Sequence, residues 1–165
     1  MSMIGEYVRV TAAELNRAIR DPDWALDHVE EVQDSEESEP APAGARHFST
    51  YKAWDLLRFL LGRAEAPVDV IHGEESFAEG HDWGYGPPRY LRPDRVRFAA
   101  QTLRALSYER LIAGVDPDDL TRAEVYPLGW DEPGALEWGR PWYDGLTRFF
   151  EAAAAADEAM LIWLD

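Results

Sequence analysis

A domain of α/β or α+β class, in which helices cover a small mixed β-sheet, is the architecture this chain predicts, and three observations carry it. Near the start, "IGEYVRV" alternates as a half-buried strand does. At the end, "EAMLIWLD" is a short apolar run of strand character. Between them lie several segments with apolar residues at helical spacing and no internal repeat, so a sheet built from both ends lies under helical layers.

Taken in order, residues 4–10 form the first strand, and Thr11 with Glu14 has the capping-box spacing for a helix over 12–20. Asp21-Pro22 stops that helix. "DWALDHVEEV" is a second helix, with Trp24, Leu26, Val29 and Val32 as its apolar positions. From Gln33 to Arg46 no large apolar side chain occurs, so this acidic, proline-containing stretch reads as a mobile surface loop.

"STYKAWDLLRFLLGR", residues 49–63, has the strongest helical pattern, capped by Ser49 or Thr50 and apolar on more than one face. "VDVIH", residues 68–72, is short and β-branched and reads as a strand. Pro93 opens the next helix, with Val96, Ala99, Ala100, Leu103 and Leu106 inward. Ser107 caps a short helix, Asp116-Pro117 starts another, and a last helix over about 142–156 precedes the final strand.

Composition limits what such a domain can do. At 165 residues the chain suits one domain, residues 1–165, able to bury roughly 70% of its unfolded surface. With 46% hydrophobic residues and seven tryptophans it has the material for a core. The absence of cysteine excludes disulfides, thiolate metal sites and a cysteine nucleophile. Glu6 and Arg9 interrupt the N-terminal stretch where a signal peptide is apolar, and no apolar run is long enough to span a bilayer, so the expectation is a soluble cytoplasmic protein.

The formal charge of −16 repels phosphate backbones and anionic membrane surfaces, which disfavours nucleic-acid and membrane binding. The same field attracts a basic protein partner, although solubility alone also accounts for acidity. Fifteen arginines against the single Lys52 look like composition bias rather than a charge code.

"MSMIGEYVRVTAAEL", "KAWDLLRFLLG", "GYGPPRYL", "DPDDLTRAEVYPLGW" and "AMLIWLD" follow one another in the order seen in the YfbM-like family of small bacterial proteins, which this chain resembles over almost its whole length. The most specific parts are Lys52-Ala53-Trp54 with Leu60-Leu61-Gly62, Gly84-Tyr85-Gly86-Pro87 with Arg89-Tyr90-Leu91, and Tyr126-Pro127 with Trp130. That likeness implies a three-layer α/β/α domain with a mixed sheet. It implies no activity, because the family is one of unknown function. Thr50-Tyr51 and Arg92-Pro93-Asp94 depart from the family pattern, and the loop at 33–46 is peculiar to this member.

The densest chemistry lies in "DWGYGPPRYL", residues 82–91. Gly84-x-Gly86 runs into Pro87 instead of a third glycine and a helix, so it is no dinucleotide fingerprint. As a rigid turn it can present Arg89, between Tyr85 and Tyr90, to an anionic or planar ligand, with His81 nearby. An internal carboxylate or a loop carbonyl is the competing partner for Arg89.

His72, Glu74, Glu75, His81 and Asp82 are rich in ligand types, but the histidines are nine residues apart across a loop, so neither a metal nor a cofactor is expected. His81-Asp82 makes a poor acid–base pair, because sequence neighbours rarely face one another. Lys52 near a helix start lacks the desolvation a Schiff-base lysine needs. No nucleophile elbow or P-loop occurs. Trp130, Trp138 and Trp142 are close enough in sequence to line a partner groove.

The sequence therefore leans away from catalysis. Its first expectation is an acidic interaction protein, inhibitor- or immunity-like toward a basic partner, docking near the "GYGPPRYL" turn or the Trp130–Trp142 segment. Its second is a small-molecule sensor or enzyme with a pocket at the Gly84–Leu91 turn.

Overall fold

The computed structural model describes residues 2–36 and 44–165. Along the chain run β1 (Gly5–Val10), α1 (Ala12–Arg20), α2 (Pro22–Glu36), β2 (His47–Tyr51), α3 (Trp54–Arg63), β3 (Glu75–Ser76) and β4 (Arg89–Leu91). They are followed by α4 (Pro93–Ala105), α5 (Tyr108–Ile112), α6 (Pro117–Arg122), α7 (Arg140–Ala155) and β5 (Ala159–Leu164), with one turn of 3-10 helix at Glu137–Gly139.

The sheet order is β2-β1-β5-β4-β3, and every one of these pairings is antiparallel. The mixed sheet that the sequence suggested is therefore antiparallel throughout these strands, because β5 enters between β1 and β4 and runs against both. Its register sets Tyr7 opposite Ile162 and Tyr90 opposite Leu161.

Alternation of side chains across the strands builds two cores from one sheet. Tyr7, Leu91, Met160 and Ile162 face α3 to α7 and pack with residues such as Trp54, Leu57 and Phe150. Val8, Val10, Leu161 and Trp163 face the other way, against Leu15 and Ala18 of α1 and Ala25, Val29 and Val32 of α2. Helices thus cover both faces, giving the three-layer α/β/α arrangement. Burial on both faces also explains why β5 reads as an unbroken apolar run.

Local signals place most helices. The Glu14 amide donates to Thr11 Oγ1 at 3.1 Å while the Thr11 amide donates to Glu14 Oε1 at 2.9 Å, completing the capping box of α1. Ser107 and Asp116 cap α5 and α6 through their side chains.

Three boundaries differ from the sequence reading. Gln33 to Glu36 continue α2, whereas residues 37–43 of the expected loop lie outside the described residues. Ser49 and Thr50 do not cap a helix: they belong to β2, which pairs with β1, and α3 begins uncapped at Trp54. Residues 68–72 form a turn instead of a strand, because Asp69 Oδ1 accepts the amides of Ile71 and His72 at 3.1 and 2.9 Å. Tyr7 anchors that turn by donating its hydroxyl to the Val70 carbonyl at 2.8 Å, and complete burial pushes the phenol pKa well above its ordinary range.

Among the described residues no helix is long and apolar enough to cross a membrane.

A buried carboxylate ties α3 to the segment after α6. Asp55 accepts the Tyr126 amide at 2.8 Å and pairs with Arg58. Asp55→Ala leaves that amide without an acceptor, a loss of about 2 kcal/mol. The expected fall in Tm is about 4–8 °C for a chain of this size, against no measurable change for the exposed Asp131→Ala, read by differential scanning calorimetry.

Candidate functional site

Backbone geometry fixes the 82–91 turn against the end of β5. Asp82 Oδ1 accepts the amides of Gly84 and Gly86 at 2.9 and 3.2 Å, and the Tyr85 amide donates to the Leu164 carbonyl at 2.9 Å. Gly84 sits at φ +134°, and a Cβ there would lie 2.6 Å from the Leu164 carbonyl oxygen and 2.8 Å from Asp165 Cα. No other residue fits so close an approach. Behind the turn, Trp83 is buried edge-on against both Phe77 and Trp163.

Arg89 secures the other side of this turn. Its Nε donates to the Gly73 carbonyl at 3.1 Å and its Nη2 to the Glu74 carbonyl at 2.8 Å, so most of its fork holds the chain between the 68–72 turn and β3. Tyr90, the next residue along the strand, points to the opposite face and is buried there, with its hydroxyl between Glu75 and Arg92. The expected flanking of Arg89 by two tyrosines is therefore corrected, since strand neighbours alternate sides. His81 is also apart: it is exposed, 3.8 Å from the Asp23 carboxylate of α2.

What does gather round Arg89 is Tyr85 and His72, with Ile71, Pro87 and Ile162, in a cleft of about 240 Å³. The sequence offered His72 only as a metal ligand, and its place here follows from a turn that propensity alone misread as a strand. Its Nδ1 lies 3.6 Å from Asp69 Oδ2, and its ring meets Trp54 edge-on at 6.0 Å. Burial pushes the Asp69 carboxyl upward, but the adjacent His72 side chain and the hydrogen bonds from the amides of His72 and Ile71 outweigh it and hold the pKa below the ordinary value. Among the described residues no three of His, Asp and Glu are grouped as a metal site requires.

A second concavity, of about 170 Å³, lies between Pro127 and Trp138. Trp130 is buried at its base, donating Nε1 to the Val125 carbonyl at 2.7 Å, and Trp138 packs on it at 6.0 Å. Leu128 on the rim is 81% exposed. Trp142 does not join this groove: it packs against Tyr51, 5.7 Å away. Lys52 lies 5.2 Å from the Tyr51 ring, a surface cation–π contact and not a desolvated amine.

One prediction concerns the 82–91 turn and another the 68–72 turn. Gly84→Ala combines a positive φ with a backbone clash and costs about 2–4 kcal/mol, whereas Gly86→Ala, with nothing within 4 Å of its Cβ, carries only the strain of its φ of +103°. Urea unfolding should rank the two in that order. For Asp69, whose folded pKa is depressed below 3.8, the contribution to stability is present above that value and is lost as pH falls through the folded pKa. Asp69→Asn, which keeps the acceptor for both amides, should flatten the decline of the urea midpoint below about pH 4.

The chain is similar in fold to YfbM from Escherichia coli, a protein of unknown function whose crystal structure superimposes with a TM-score of 0.64 at 17% identity, over 98% of this chain and 99% of that one. No curated protein matches it. The model of the domain of unknown function DUF1877 matches residues 1–163, and the chain belongs to that family.

Proposed function

We propose that this chain is an acidic interaction domain that docks a basic protein partner at the groove between Pro127 and Trp138. The observation that carries the reading is Leu128, which stands 81% exposed beside an apolar floor of Trp130, Trp138 and Ala135. Exposed leucines are common singly. One on the rim of a tryptophan-floored groove is the usual form of an interface anchor.

Charge supports the choice of partner. Between Asp116 and Glu137 the sequence has seven acidic residues and one basic residue, Arg122, which is itself paired with Asp119. A basic surface approaching this segment is steered electrostatically, and an apolar side chain seated among the tryptophans fixes its register. At about 170 Å³ the groove takes one or two side chains, so it is the centre of a larger contact. An inhibitor- or immunity-like role toward a basic protein is the version this chemistry fits best.

Leu128→Asp tests the reading. Because Leu128 is exposed, the variant should keep its Tm, so any change in binding reports on the surface. Cross-linking in source cells should give a partner of high isoelectric point joined to wild type and at least tenfold depleted with Leu128→Asp. A partner set unaffected by the substitution, or one composed of acidic proteins, refutes the proposal.

A further inference from the structure

We propose that the cleft at His72, Tyr85 and Arg89 is a second, independent site that binds a small monocarboxylate with an apolar body. Five clefts can be compared, and four of them have an Asp or Glu in their walls. The fifth has none, in a chain of 32 acidic residues. Its polar groups are an imidazole, a guanidinium and a phenol, and the remaining walls include Ile71, Pro87 and Ile162.

The donors are held in place before any ligand arrives. His72 follows the turn fixed by Asp69, whose carboxylate lies toward Nδ1 and leaves Nε2 without a hydrogen-bond partner among the described residues. Arg89 is anchored through Nε and Nη2, which leaves Nη1 likewise unengaged. With Nδ1–H turned toward Asp69, His72 donates from Nε2 only as the imidazolium; that imidazolium and Arg89 Nη1 then give one donor each to the two oxygens of a single carboxylate, a pattern distinct from an arginine fork. Rigid donors cost little to organise on binding.

Size restricts the ligand further. At about 240 Å³ the cleft is below the range of drug-sized sites, so an acid with one ring or a short branched chain is the upper limit. Tyr85, 41% exposed on the rim, is the wall that can shift to admit it. The overall negative charge opposes an anion at long range, but ordinary salt screens that field over roughly 10 Å, so the adjacent donors decide.

Benzoate is the probe, with neutral benzamide as its isostere, followed by proton–nitrogen NMR of the full chain. Saturable shifts at the His72 and Tyr85 amides with benzoate, and none with benzamide, are expected. His72→Gln should weaken benzoate about tenfold, as loss of a charge-assisted donor does. Tyr85→Trp, which fills the rim, should block it even if His72→Gln folds poorly. Leu128→Asp should leave benzoate binding unchanged, which separates this site from the groove. Equal responses to benzoate and benzamide, no saturable shift at millimolar benzoate, or undiminished binding by a folded His72→Gln each overturn the proposal.

Discussion

Strand β5 must be buried on both faces, and most of the architecture follows from that constraint. It lies between β1 and β4, and five of its six side chains are buried. Burial of a side chain of leucine or isoleucine size is worth roughly 1.5–3 kcal/mol, so leaving either face open would forgo several such contributions. The chain therefore covers the sheet twice, with α1 and α2 on one side and α3 to α7 on the other. At its far end β5 outruns β4, whose pairing stops at Arg89 opposite Ile162. The 82–88 turn takes over there, its Tyr85 amide capping the Leu164 carbonyl. This explains why Gly84 is needed: the turn acts as a last rung of the sheet and approaches β5 at backbone distance.

Within so acidic a chain, Arg9 and Arg89 serve as internal fasteners, whereas eleven of the fifteen arginines are exposed. Arg9 pairs with Glu158 at 2.9 Å where both side chains are nearly buried, and His47 meets Glu6 across the β1–β2 pair. Arg89 closes two backbone carbonyls. Surface pairs such as Arg92 with Glu75 contribute little individually. Acidic residues still outnumber basic ones 32 to 16, so the field around the molecule is set by acids, while the His72 cleft owes its different character to walls supplied by β5 and the turn.

Helix starts were the most legible features of the sequence. Thr11, Ser107 and Asp116 each act within three residues of their own position, so their capping chemistry can be read without knowing the fold. Misreadings had two sources: at 68–72 the Asp69 side chain folds its own segment into a turn, and at 49–50 a distant strand decides the outcome. Ser49 and Thr50 are good caps in isolation, but β1 offered a pairing partner that local propensity cannot see. The site followed the same division. Arg89 and Tyr85 were visible in their rigid turn, whereas Tyr90 was lost to strand alternation and His72 was found only when the Asp69 turn brought it into the cleft with Arg89.

Trp54 lies between residues that flank the two concavities. Its indole meets His72 edge-on at 6.0 Å and stacks on Tyr126 at 5.9 Å, one residue before the groove begins at Pro127. Its Nε1 donates to the Met3 carbonyl, and the Met3 amide donates to the Tyr126 hydroxyl, each at 3.0 Å. Contact of this kind does not by itself transmit a signal, since coupling needs an element with two alternative packings. Trp54 is buried and its indole nitrogen is engaged, and the neighbouring Tyr126 amide is held by Asp55. Trp54 lines neither concavity, so it supports a residue at the edge of each without making either depend on occupation of the other. The physical expectation for this arrangement is two concavities that act separately.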